Sequence, residues 1–181
     1  KAALVISFAN WTAETYTLDQ SYTTWSWNIS AYAFWQTFTT WAAVTNINRI
    51  SFQWYYTWAS NDLPNFYVRI YENGGGGTPT TIVQNISWWD CSAVINPYWL
   101  WTTPWVWRDV DLPHTVLSAS TSYTIVIEPV TDWNFVDTVR FSYNTTWTYT
   151  WWVRQYKSNS VSAWAQSPAE DWLFRTYYWQ N

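Results

Sequence analysis

Glycine is scarce in this sequence: the 181 residues include 4, and all of them lie in the run Gly74 to Gly77. A single cysteine excludes a disulfide framework within the chain, and with a single histidine it leaves no thiol–imidazole zinc cluster. Eight Lys and Arg against 12 Asp and Glu, a net charge of −4, argue against a nucleic-acid-binding surface. No apolar run approaches the roughly 20 residues of a membrane-spanning helix. The length indicates one domain with a core of useful size.

Tryptophan is as abundant as glycine is rare, with 20 residues. Several lie between β-like runs, where a turn that needs positive φ normally carries glycine, as at residues 10–12, 132–134 and 146–148. We hypothesise that many of these positions are glycine in the natural polypeptide, as in an organism that reads the UGA codon as glycine. Trp105, Trp107 and Trp164 are the better candidates for true tryptophan. The alternative is a Trp-rich surface protein, and an intact mass matching 21.6 kDa would support it.

Period-two alternation is the main structural signal in the chain. In residues 66–71, for example, Phe66, Val68 and Ile70 alternate with more polar neighbours. The alternating segments are rich in Val, Ile, Thr, Tyr and Phe, the residue types that favour β-strands. The segments predicted as strands are 32–38, 49–56, 66–71, 80–86, 105–111, 123–128, 139–144, 153–157 and 171–178. About nine short strands predict an all-β fold, an antiparallel β-sandwich or jelly roll.

The most apolar stretch of the sequence lies near the N-terminus, at residues 2–9. We expect residues 1–30 to supply one or more N-terminal strands and residues 31–181 to form the β-sandwich domain. One interpretation of the apolar stretch is a first strand buried in its own sandwich. The other is a strand donated to the open sheet edge of a neighbouring copy, which would satisfy its backbone hydrogen bonds. The candidate assembly residues are Leu4, Val5, Ile6 and Phe8.

Several segments, in this order, resemble a known family of modules. They are residues 34–40 (Phe-Trp-Gln-Thr-Phe-Thr-Thr), 68–73 before the glycine run, 110–113, 117–123 and 171–177. Over roughly residues 31–178 the chain resembles the non-catalytic "choice-of-anchor" β-sandwich modules of bacterial secreted and surface proteins and of phage structural proteins. The resemblance implies an extracellular location, a structural, anchoring or adhesive task, and no shared catalytic residues. Trp35 stands where such modules usually have a small residue, as the glycine hypothesis predicts.

Two kinds of modification or metal site are suggested by local sequence. Four Asn-X-Ser/Thr sequons would be surface glycosylation sites in an exporting, glycosylating organism: Asn10, Asn28, Asn85 and Asn144. Carboxylates near loops are candidate calcium ligands, although no EF-hand spacing is present. These candidates are Asp90, Asp109, Asp111, Asp132 and Asp137. Asp109 and Asp111, two apart on a predicted strand, should share a face.

Two functions remain open. The first is an extracellular, cell-surface structural protein that contacts copies of itself through β-strands in a filament or coat. The alternative is a carbohydrate-binding or adhesive module that binds surface glycans through exposed aromatics. The strip to test first for the alternative is Trp54, Tyr55, Tyr56 and Trp58. We expect no enzymatic activity, because His114 stands alone and the carboxylate pairs Asp109/Asp111 and Glu170/Asp171 have no obvious catalytic partners. We also expect no cofactor apart from the calcium hypothesis, no nucleic-acid partner and no membrane span.

Overall fold

A computed structural model describes the backbone in segments. The described residues are 15–17, 27–30, 33–40, 42, 45–56, 65–74, 78–84, 90–95, 107–130, 139–144, 154–157, 165–167, 171–172 and 174–178. Side chains are described for 33, 35–40, 42, 47–53, 65–74, 78–84, 90–95, 107–113, 115–130 and 174–177. In this part of the chain no helix is long and apolar enough to cross a membrane.

Every regular element in the described segments is a β-strand. The strands are β1 (Thr15–Thr17), β2 (Trp27–Ser30), β3 (Ala33–Thr39), β4 (Thr45–Tyr56), β5 (Phe66–Asn73), β6 (Pro79–Ile82), β7 (Ser92–Ile95), β8 (Trp107–Leu117), β9 (Ser122–Pro129), β10 (Val139–Asn144), β11 (Arg154–Lys157), β12 (Ala165–Ser167), β13 (Asp171–Trp172) and β14 (Phe174–Tyr178).

The strands form two antiparallel sheets of seven strands each. Sheet one has the order β1-β14-β4-β10-β13, with β2 beside β10 and β8 beside β4. Sheet two has the order β12-β11-β3-β9-β5-β6, with β7 beside β5. Because β4 pairs with β8 on one edge and β14 on the other over residues 47–52, it lies in the middle of sheet one.

One hydrophobic cluster joins the two sheets. It takes alternate residues from the strands of both sheets, such as Ile50 and Phe52 from β4 and Ile125 and Ile127 from β9. Across the gap the ring of Phe38 on β3 meets the ring of Phe174 on β14 edge to face, with centroids 6.3 Å apart. Two sheets that bury their inner faces against each other form a β-sandwich.

The predicted all-β antiparallel sandwich is therefore confirmed. Each of the nine segments predicted as strands overlaps at least one strand of the structure. The short strands β1, β2, β7 and β12 add to them. Two of these come from the first thirty residues, and they pair within sheet one: β1 with β14 and β2 with β10.

The turn between β8 and β9 bears on the glycine hypothesis. Ser120, with φ of 48°, is the one non-glycine residue at positive φ in the described segments. The Trp-containing turns at residues 10–12, 132–134 and 146–148 lie outside those segments, so the hypothesis stays a prediction. Trp35 is buried in β3, where it pairs with Val126 of β9.

Candidate functional site

Most residues of the predicted assembly and glycosylation sites fall outside the described residues. Of the four sequon asparagines, Asn28 lies in β2 opposite Ser142, and Asn144 lies in β10 opposite Asp171, with neither side chain described. The remaining predicted residues outside the described segments are Leu4, Val5, Ile6, Phe8, Asn10 and Asn85. Both sets therefore stay predictions.

The predicted aromatic strip is located only through its backbone. Trp54, Tyr55 and Tyr56 occupy consecutive positions in β4, where they pair with Phe141, Arg140 and Val139 of β10. Their side chains, and the whole of Trp58, lie outside the described set. Glycan binding through this strip therefore stays a prediction.

Two of the five predicted calcium ligands come together on sheet one. Val110 and Leu112 of β8 belong to the hydrophobic cluster, so Asp109 and Asp111 lie together on the opposite, outward face. That the two share a face agrees with the prediction. Both contact Arg49: its Nε lies 2.6 Å from Asp111 Oδ1 and its Nη1 lies 3.6 Å from Asp109 Oδ2. The two carboxylates thus already have a cationic partner.

The other predicted calcium ligands do not join them. Asp90 is exposed and forms an isolated bridge with Gln84, and Asp132 and Asp137 lie outside the described residues. Within the described part of the chain, no three His, Cys, Asp or Glu residues form a group that could hold a metal ion.

The outward face of sheet one carries an aromatic–cationic stack beside these carboxylates. The guanidinium carbon of Arg175 lies 3.8 Å from the ring centroid of Trp107. Arg175 is in β14 and Trp107 in β8, so the arginine side chain crosses β4 to make this contact. Beneath it the buried Ser51 donates a hydrogen bond to Asp109, and its Oγ lies 3.0 Å from the Tyr177 hydroxyl. We define the sheet-one face as Arg49, Gln53, Trp107, Asp109, Asp111 and Arg175.

The outward face of sheet two carries a second arginine–aromatic stack, in which the arginine also pairs with a carboxylate. Arg69 lies with its guanidinium carbon 3.6 Å from the ring centroid of Tyr67, and its Nη1 donates to Glu128 Oε1 at 2.8 Å. Burial raises the pKa of the neighbouring Tyr71, and the Glu128 carboxylate raises it further, whereas Arg69 lowers it. Here the arginine is both stacked and paired with a carboxylate.

Cys91 lies in the core and not in a surface loop. Its thiol is fully buried and belongs to the hydrophobic cluster. Burial raises the pKa of this thiol to about 11, against a smaller opposing effect of a hydrogen bond with Thr115. A disulfide to another chain would therefore require the sandwich to open.

Among the described strands, β8 forms one edge of sheet one. It is 11 residues long and, among the described residues, pairs with β4 alone. Pro113 and the two aspartates lie within it, features that limit indiscriminate pairing of an edge strand. Near its end Val116 exposes 46% of its surface, and on the short edge strand β7 Val94 exposes 54%.

Neither the Trp107–Arg175 stack nor the edge position of β8 could be predicted from the sequence, and the reason is the same for both. Trp107 and Arg175 were each visible as residues of predicted strands, but alternation along one strand says nothing about which strands are neighbours. A scan of protein-family models finds no match to this chain, and a comparison with curated proteins finds no similar protein.

Proposed function

We propose that the chain is an extracellular structural protein, a subunit of a surface filament or coat that assembles by β-strand contacts between copies. The observation that carries the proposal is the edge of β8, a long strand with a partner on one side only among the described residues. Unpaired backbone N–H and C=O groups on such an edge accept an added strand, which then extends the sheet. Pro113 and the two aspartates restrict which strands can pair there, so the added strand must be a specific one. The proposed partner is another copy of the chain.

The N-terminal stretch has the pattern that such an added strand needs. Leu4, Ile6 and Phe8 would share one face of an extended segment, because successive side chains alternate. On β8 the inward residues Val110 and Leu112 belong to the core, and an added strand with a matching apolar face would continue that core outward. Val5 and Ser7 would lie on the other face of the added strand, on the same side of the sheet as the two aspartates of β8.

Location and chemistry follow from the same proposal. The low charge, the Ser- and Thr-rich composition and the resemblance to choice-of-anchor modules support a place at the cell surface. We assign the chain no catalytic step and no nucleic-acid partner.

The test is the assembly state of the full chain and of matched variants, by size measurement over a concentration series and negative-stain microscopy. We expect the full chain to form assemblies and a chain lacking residues 1–10 to remain monomeric. Val116→Lys on the β8 edge should weaken assembly, and Val94→Lys, at a similarly exposed valine on β7, should leave it unchanged. A full chain that stays monomeric at every concentration, or a deletion variant that still assembles, would contradict the proposal.

A further inference from the structure

The sheet-one face brings together groups from three strands that are distant in sequence. β8 contributes Trp107, Asp109 and Asp111, and β14 contributes Arg175. On the central strand between them, Gln53 lies directly opposite Trp107 and Arg49 directly opposite Asp111. Hydrogen-bonded strands in a sandwich hold such a set at fixed spacings, with strands about 4.8 Å apart. The face is therefore a pre-organised surface.

Arg175 is the residue of this face that has a buried nitrogen, its Nε, without a hydrogen-bond partner in the described segments. Among the side chains that the structure describes, its guanidinium stacks on Trp107 without an ion pair to a carboxylate, whereas Arg49 contacts both Asp109 and Asp111. Stacking fixes the orientation of the guanidinium plane while leaving its in-plane N–H donors directed sideways. The face therefore presents a positioned donor beside an aromatic ring.

The aspartates supply the matching acceptors. The side chain of Asp109 is 50% exposed and that of Asp111 is 75% exposed, although each contacts Arg49. A carboxylate has about four acceptor positions, and these are not filled by the contacts with Arg49 and the hydrogen bond that Asp109 accepts from Ser51. Their carboxylates thus remain accessible to a hydroxyl donor from solvent or from a ligand.

The charges of the face indicate what kind of ligand fits. Arg49 and Arg175 balance Asp109 and Asp111, so the face has no net charge although it is rich in hydrogen-bonding groups. An anionic ligand would be repelled by the two exposed carboxylates, and an added peptide strand cannot pair with β4, which is already paired on both edges. A pyranose ring has an apolar face for an aromatic ring and a rim of hydroxyls that both donate and accept.

We propose that the sheet-one face binds a neutral polysaccharide. A sugar ring packs on the exposed part of the Trp107–Arg175 stack, its hydroxyls donate to Asp109 and Asp111, and its oxygens accept from Arg175 and Gln53. This site differs from the predicted strip at residues 54–58 and acts out of the plane of the sheet, away from the β8 edge. It is a function beyond assembly.

The test uses the full chain in native gels cast with a neutral polysaccharide, either cellulose ether, xylan or glucomannan, and with polygalacturonate as the anionic comparison. We expect at least one neutral polymer to retard the chain and polygalacturonate not to. Arg175→Gln and Asp111→Asn should each weaken the retardation about tenfold or more in apparent affinity, the effect of losing one charge-assisted hydrogen bond. The matched control is Arg69→Gln, which removes the equivalent stacked arginine from sheet two and should leave binding unchanged.

The outcomes separate this proposal from the proposed function. No retardation by any of the neutral polymers would overturn it, as would retardation by polygalacturonate alone. Equal binding by Arg175→Gln and the unchanged chain would also overturn it, provided urea unfolding shows that the variant is folded. A loss of binding in Arg69→Gln would place the site on the other sheet. Each variant's assembly state is measured separately, so failure to bind sugar and failure to assemble are independent results.

Discussion

Replacing Phe38 by Ala should destabilise the sandwich by about 3–5 kcal/mol, the usual result of truncating a buried phenylalanine. The side chain of Phe38 is fully buried in the cluster that joins the two sheets. Its ring lies 6.3 Å from that of Phe174 on the facing sheet and 6.0 Å from that of Tyr123 on the adjacent strand, measured between centroids. Alanine would lose both aromatic contacts and leave a cavity that strands of two sheets cannot easily close.

The contact between the rings of Phe38 and Phe174 contributes a coupling free energy that can be measured separately. An edge-to-face aromatic pair contributes about 0.5–1.5 kcal/mol beyond the burial of its members. Phe38→Ala and Phe174→Ala should therefore be non-additive: the double variant should lose less stability than the two single losses together, by about that coupling energy. The measurement is the free energy of unfolding in urea, followed by far-ultraviolet circular dichroism, for all four chains of the cycle.

The control lies next to the perturbed residue. Thr39 follows Phe38 in β3 and is exposed, so Thr39→Ala should change the free energy of unfolding by no more than about 0.5 kcal/mol. If Phe38→Ala and Thr39→Ala had similar effects, Phe38 would not lie in a shared core. Strict additivity of Phe38→Ala and Phe174→Ala would refute the contact between the sheets.

Two further predictions concern the thiol in the core and the glycine before the β5–β6 turn. Because the pKa of Cys91 is about 11 in the fold and 9.0 in its ordinary state, the unfolded chain ionises first as the pH rises. The stabilisation from this thiol is thus fully present below pH 9, and the free energy of unfolding falls by about 2–3 kcal/mol as the pH rises towards and past 11. In urea unfolding of Cys91→Ala this pH-dependent decrease should be absent. At Gly74 an added Cβ would lie 2.9 Å from Thr80 Cγ2, and Thr80 can rotate away only by losing its hydrogen bond to the Glu72 carbonyl, so Gly74→Ala should destabilise the chain. Adding Thr80→Ser, which removes that methyl group, should restore part of the loss in a thermal melt, and no recovery would contradict the contact.

The strands could be predicted from the sequence because their signal is local. Within residues 66–71 the alternation of apolar and more polar side chains is complete, and β5 buries Phe66, Val68 and Ile70 as that pattern requires. The strand β7 was missed because its four residues, Ser-Ala-Val-Ile, are too few to show a period against their surroundings.

The contacts on which the two proposals rest could not be predicted in the same way. Trp107 and Arg175 are 68 positions apart, and they meet because β8 and β14 both pair with β4. No feature of either strand alone encodes that order. Cys91 is a similar case: its polar neighbours Asp90 and Ser92 suggest a loop, yet backbone hydrogen bonds to Val83 and from Ile70 hold it over the core. In both cases the decisive information is the order of strands in the sheets.

The two proposed functions involve different groups of β8, its backbone edge and its outward side chains, so they are compatible. Strand addition to β8 uses backbone groups in the plane of sheet one, whereas sugar binding uses side chains that point out of that plane. A filament built through β8 would therefore repeat the sheet-one face once per subunit without covering it by the added backbone. Repetition raises apparent affinity for a long polymer, because after one contact the next binds at a high effective concentration. A single face that binds weakly would then suffice for an adhesive coat, provided that assembly precedes attachment.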